Sequence, residues 1–198
     1  MSIKMNNIIQ TKGDLKDFLE SDSRNYQSQR LSFFKRWKRQ LYSNPISEQK
    51  YIWRYIYALR HVEYYQNNSN NILCKIMLLW WLRKLRKYSH VTSFQIPPHI
   101  CGKGLTIWHW GPIIVNGSAK IGDNCTLYPG VLIGQKNSKE GAAIIGNNVF
   151  IGAGTKIIGH VKIGNNVILG QNLIITKDIP DNTVIVANNI NRMLYHKS

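Results

Sequence analysis

His109 is the residue in this chain best placed by type to do chemistry. It lies in LTIWHWGPIIVNG, between Trp108 and Trp110 and just before a glycine turn. Neutral imidazole can take a proton near neutral pH. A hydroxyl nucleophile needs such a group, because its proton must leave as it attacks a carbonyl. On the residues alone, the two flanking indoles favour a packing role for His109. Trp108, Trp110 and Tyr128 add flat aromatic faces of the kind sugars stack upon. The three cysteines, Cys74, Cys101 and Cys125, show no paired or metal-like spacing. His61 and His90 have no partner that the sequence identifies, and His160 reads as a corner residue.

What must position His109 is a repeat of six. From Ile121 to Pro180 the chain reads IGDNCT, LYPGVL, IGQKNS, then IGNNVF, IGAGTK, IIGHVK, IGNNVI, LGQNLI, ITKDIP. The first position is aliphatic throughout, the second is usually Gly, and the fifth is small or β-branched in most. A helix repeats its apolar residues at three and four and a strand at two. A period of six predicts a solenoid of short strands, three hexads to a triangular coil. Coils then stack at roughly 4.8 Å, with the aliphatic column inward. An ordinary β-sandwich would not keep that column in phase over nine hexads. Asn147-Asn148 and Asn165-Asn166 suit corners that need left-handed backbone. The break between Ile133 and Ile145 predicts a loop leaving the coil. Cys125 falls in the small-residue column and predicts a buried thiol.

These hexads, together with IPPHICGKGLTIWHWGPIIVNGSAKIGDNCTLYPGVLIG from Ile96 to Gly134, resemble the hexapeptide-repeat acyltransferases. The similarity covers about half the chain, roughly Phe94 to Asn189, and is to the serine acetyltransferase-like branch. That branch includes serine acetyltransferases and the O-acetyltransferases of capsule, lipopolysaccharide and exopolysaccharide assembly. The resemblance implies a left-handed parallel β-helix, an exception to the right-handed crossover preference. It implies a homotrimer with acetyl-CoA in the groove between neighbouring β-helices, and His109 as the general base. By position the cofactor residues would be Gly134, Gln135, Gly152, Ala153, Gly170 and Lys177. Three departures bear on the acceptor. Serine acetyltransferases place an Asp upstream to orient the base, where FQIPPHI has Gln95; Gln95, a main-chain carbonyl or an acid of the helical part would have to serve. They carry an acid directly before the histidine, where this chain has Trp108. They carry an Arg-His pair in a loop that here reads QKNSKEGAA, so the charge-assisted grip on an amino-acid carboxylate is missing. The expected acceptor is therefore a sugar hydroxyl of a surface polysaccharide or its precursor, held by Trp108, Trp110 and Tyr128. The alternatives are serine O-acetylation and, from another class, a non-catalytic trimeric scaffold. No metal site is expected: related β-helical carbonic anhydrases need three histidines, and only His109 and His160 fall within the repeats.

The 198 residues divide into a helical region, 1–92, a β-helix, 93–190, and a short tail, 191–198. The formal net charge is +16. Residues 1–92 hold 17 of the 26 Lys and Arg and 6 of the 10 Asp and Glu. Such an excess suits an anionic surface or substrate, while no nucleic-acid motif accompanies it. A short helix is expected around Asp14 to Glu20, and a basic helix over Tyr26 to Tyr42. A further helix over EQKYIWRYIYALRHVEYY would start after Asn44-Pro45. The last runs from about Ile72 to Tyr88 and ends in RKLRK, with a core too short to span a bilayer. The basic, aromatic helices either pack on each other or contact a membrane surface. The first residues hold no apolar signal core, and the odd cysteine count predicts reduced thiols. Together these give a cytoplasmic place, at the inner face of the membrane if the helices touch it.

Overall fold

The computed structural model describes residues 8–30, 48–137, 139–188 and 192–197. The chain is a left-handed parallel β-helix preceded by α-helices. Helix α1 (Lys12–Asp22) opens on a reciprocal cap. Thr11 N donates to Asp14 Oδ2 at 2.7 Å, and Asp14 N donates to Thr11 Oγ1 at 3.1 Å. This pair satisfies two of the amide groups that a helix start leaves open. A 3-10 segment (Ser23–Arg30) follows, kinked at Tyr26. The rest of the basic helix expected over Tyr26 to Tyr42, and the Asn44-Pro45 start signal, lie outside the described residues. Helix α2 (Gln49–Asn67) buries Ile52, Tyr55, Ile56, Leu59 and Val62, the three-and-four spacing of one helical face. Helix α3 (Ile72–Thr92) is capped by Asn71, which accepts from Cys74 N at 2.8 Å. It runs past Tyr88 and closes on Ser93, which takes left-handed backbone.

Strands β1 to β12, of two or three residues each, then wind into three sheets whose coils pair in parallel. The first sheet holds β1 (Phe94–Gln95), β3 (Ile113–Val115), β6 (Leu132–Gly134), β9 (Lys156–Ile158) and β12 (Ile174–Ile175). The second holds β4 (Lys120–Ile121), β7 (Ile144–Ile145) and β10 (Lys162–Ile163). The third holds β2 (Thr106–Ile107), β5 (Thr126–Leu127), β8 (Phe150–Ile151), β11 (Ile168–Leu169) and β13 (Thr183–Asn188). β14 (Arg192–Lys197), inside the segment read as a tail, pairs antiparallel with β13. The register stacks hexad on hexad, Ile121 on Ile145 on Ile163 and Leu127 on Ile151 on Leu169. These first-position side chains are all buried.

One corner column is an asparagine ladder. Asn124, Asn148, Asn166 and Asn182 take positive φ, which Asn tolerates better than other residues with a Cβ. Their side chains bond coil to coil: Asn124 to Asn148 at 3.2 Å, Asn148 to Asn166 at 3.0 Å and Asn166 to Asn182 at 2.9 Å.

The helices close the open end of the solenoid. A first coil has no coil above it, so its peptide groups need other partners. Tyr26 Oη donates to Ile107 O and accepts from Ile107 N, both at 2.8 Å. Tyr55 Oη bonds Ile96 O and N in the same way, at 3.0 and 3.1 Å. Arg60, fully buried, donates to Cys101 O at 2.8 Å and Gly102 O at 2.6 Å. The same guanidinium pairs with Asp22 at 2.8 Å and Glu63 at 3.0 Å. Asp22 in turn accepts from Leu105 N, and Glu63 accepts from His99 N. Burial alone would lower the Arg60 guanidinium, and the charges of Asp22 and Glu63 more than reverse it, holding it above its ordinary value.

Candidate active site

Strand β2 delivers His109. Its backbone is fixed on one side by β5 and on the other by Tyr26. The chain then turns sharply to reach β3. His109 takes φ of 65°, which a residue with a Cβ adopts only when its surroundings require it. Gly111, at φ 141°, completes the turn, and its N–H donates to Thr92 O at the end of α3. Helix end, strand and turn therefore converge on the imidazole.

Glu48, at the start of α2, holds that imidazole. His109 Nδ1 lies 2.5 Å from Glu48 Oε1, and Trp110 N donates to Glu48 Oε2 at 2.7 Å. Both carboxylate oxygens are engaged, so the carboxylate cannot rotate away from the ring. A carboxylate only accepts, so the proton between them sits on Nδ1, and in the neutral imidazole Nε2 then carries the lone pair. No partner of Nε2 is found among the described residues. The His109 side chain is 62% exposed and that of Glu48 24%. The arrangement is an imidazole oriented by a carboxylate and facing outward, the geometry that a general base requires. Glu48 is the acid of the helical part that was one of three open choices for orienting His109. Neither Gln95 nor a main-chain carbonyl bonds the ring among the described residues.

The other candidate residues fall into two groups. The edge between the third and first sheets carries His109, Tyr128, Gly152, Ala153 and Gly170, one coil after another. Gly152 is buried there, and a Cβ on it would meet the Gly170 backbone at 2.7 Å. Its lack of a side chain thus serves coil stacking. Gly134 ends β6, and Gln135 and Lys177 sit exposed on the next edge, between the first and second sheets. Within one chain the two groups stand on different edges. The loop between Ile133 and Ile145 leaves the coil where the hexad phase breaks, and returns with Ala142 and Ala143 buried. The aromatic residues are less available than their exposure suggests. Trp110 leans on Tyr51 with ring centroids 5.9 Å apart, and Tyr128 leans on Phe150 at 5.3 Å. Trp108 is half-buried. His160 Nδ1 lies 3.2 Å from Ala142 O, and no cluster of three metal-ligating side chains occurs among the described residues.

Residues 142–177 match the family described as bacterial transferase hexapeptide (six repeats). The chain carries the hexapeptide repeat of bacterial transferases. It is 39% identical over 99 residues to a serine acetyltransferase of Staphylococcus epidermidis, covering 48% of this chain and 46% of that one. A serine acetyltransferase of Staphylococcus aureus is 37% identical over the same shares. The chain spans about half the length of these curated relatives. Among solved structures, soybean serine acetyltransferase superposes with a TM-score of 0.63 at 23% identity, covering 91% of this chain and 69% of that one. Serine acetyltransferase isoform 3 of Entamoeba histolytica, in complex with cysteine, gives 0.61 at 21%, covering 91% and 60%. Both share the fold.

These relatives correct the expected acceptor. The sugar hydroxyl of a polysaccharide, placed first from the sequence, is not supported: the two curated relatives named above are serine acetyltransferases, the class placed second. The physical argument for a saccharide was weak at the same point. It rested partly on aromatic faces, beside the missing Arg-His pair and Trp108 in place of an acid, and of those faces Trp110 and Tyr128 each lean on a neighbouring ring.

Proposed function

We propose that this chain is an acetyl-CoA-dependent O-acetyltransferase acting on the hydroxyl of L-serine. The observation that carries the reading is the Glu48–His109 pair on an open edge of the β-helix, with Nε2 unengaged. His109 Nε2 takes the serine hydroxyl proton as the oxygen attacks the thioester carbonyl. The tetrahedral intermediate collapses with loss of the CoA thiolate, which receives the proton back from the imidazolium. The products are O-acetylserine and CoA, and His109 returns to its starting state. Glu48 positions the ring throughout and offsets its transient positive charge. Ala153 and Gly170 lie on the same edge and suit close approach of the pantetheine arm. Gln135 and Lys177, one edge away, would meet the donor from a neighbouring copy.

A trimer supplies that neighbour. The outward residues of the second sheet include Lys120 and Lys162, both exposed to water. The first sheet places Ile114 and Ile174 outward beside a single exposed lysine, Lys156, and the third places Phe150 and Ile168 outward, with Ile174 60% and Ile168 45% exposed. Those two faces flank the His109 edge, so packing them between copies builds the groove beside the base. Static light scattering that gave a monomer at all concentrations would remove the shared groove.

The test of the acceptor is CoA release from acetyl-CoA, followed by a thiol reagent, with L-serine, hexoses and N-acetylhexosamines offered separately. Release with L-serine, giving O-acetylserine by mass spectrometry, is the expected result. Release confined to the saccharides would refute the proposal.

A further inference from the structure

Helix α3 presents a face that nothing among the described residues covers. Its inner residues, Cys74, Leu78, Trp81, Leu85 and Tyr88, follow helical spacing and turn towards α2. The opposite line begins apolar. Ile72 is 69% exposed, Ile76 54% and Leu79 55%, and Leu73 and Trp80 flank them. The same line continues as Arg83, Arg86 and Lys87, all exposed. Positions three and four apart on a helix lie above one another, so this is one continuous stripe, apolar first and cationic after. The helix contains no Asp or Glu. It is not long and apolar enough to cross a membrane.

We propose that this face of α3 docks on an anionic lipid surface, lying in its plane. The apolar half would enter the boundary between headgroups and acyl chains, with Trp80 at the interface. The cationic half would stay among the anionic headgroups. A groove of about 270 Å³ borders the stripe, lined among others by Arg54, Lys84, Trp80 and Trp81. It offers two cations to a phosphodiester. Lys84 Nζ stands 5.0 Å over the Trp80 ring, and Trp81 Nε1 is a buried donor without a partner among the described residues. The charge pattern decides the occupant. Two copies of this helix packed parallel would set Arg83, Arg86 and Lys87 against their own counterparts. Packed antiparallel, they would set those cations against the apolar half. An anionic surface opposes the cations and admits the apolar residues at once.

The proposal concerns where the protein sits and stands apart from its acceptor. It is tested by flotation of the full chain with vesicles of phosphatidylcholine and phosphatidylglycerol in equal parts, against phosphatidylcholine alone. Binding is expected to the mixed vesicles at low salt and to fall as salt rises. The doubly substituted Arg83→Ser/Arg86→Ser should bind about 30-fold more weakly, at roughly fivefold for each cation lost. Ile76→Ser/Leu79→Ser, also exposed and so not expected to disturb the fold, should lose binding as well; far-UV circular dichroism checks both variants. Absence of binding to mixed vesicles, or equal binding by wild type and both variants, overturns the proposal. So does a drop in oligomer mass in Ile76→Ser/Leu79→Ser while vesicle binding is unchanged, which would assign the face to a second copy.

Discussion

Replacing Arg60 with Met tests how the helices are joined to the β-helix. Arg60 is fully buried and makes bonds to two carboxylates and two carbonyls, Asp22, Glu63, Cys101 O and Gly102 O. Met fills similar space and bonds none of them. It leaves two carboxyl groups buried without their cation, which typically costs about 3–5 kcal/mol. Two carbonyls also lose their donor, at roughly 1–3 kcal/mol each if no water reaches them. These losses overlap, so the expected cost is about 4 kcal/mol. With a urea slope near 2 kcal/mol per molar, the midpoint should fall by about 2 M. The assay is equilibrium urea unfolding followed by tryptophan fluorescence and circular dichroism together. Adding Asp22→Asn and Glu63→Gln to Arg60→Met removes the stranded charges while keeping acceptors for Leu105 N and His99 N. That triple variant should regain a large part of the loss. A midpoint for Arg60→Met within about 0.3 M of wild type, at unchanged slope, would refute this reasoning.

Tyr26→Phe removes the hydroxyl that serves both Ile107 N and Ile107 O. It should cost about 1–3 kcal/mol in the same unfolding assay and lower activity through the strand that carries His109. Thiol labelling of the native protein at mild alkaline pH should modify Cys74 alone, because it is the half-buried one. Burial pushes the Cys125 thiol up to about 12 and that of Cys101 higher still, so neither supplies thiolate to the reagent. Labelling of all three at equal rates under native conditions would contradict the packing of the first two coils.

The β-helix was legible because its determinants are local. Ile121, Ile145 and Ile163 repeat in phase in the sequence and stack in register in space. The Asn-Asn pairs marked corners because the side chain itself favours the backbone those corners need. His109 stood out as a candidate base only through its resemblance to a family motif, since the flanking indoles argue for packing. Glu48 was not legible at all as an individual residue. It stands 61 positions from its partner, and nothing in the sequence near it announces a bond that only the docking of α2 creates. The pairing of Trp110 with Tyr51 was hidden for the same reason, so its face was counted towards a sugar acceptor beside the missing Arg-His pair. The extension of α3 to Thr92 was missed because Ser93 closes it by backbone conformation, where the usual signal is a Gly.

In the proposed reaction His109 is the base and Glu48 acts through it. A double-mutant cycle on serine-dependent CoA release measures this directly. His109→Ala should lower kcat by on the order of 10²–10⁴. Glu48→Gln, which keeps the bond to Trp110 N but not the charge, should lower kcat with little change in KM for L-serine. In the His109→Ala background, Glu48→Gln should cost nothing further, because its only route to the chemistry is gone. Equal losses from Glu48→Gln in both backgrounds, or a His109→Ala enzyme with wild-type kcat, would contradict the account.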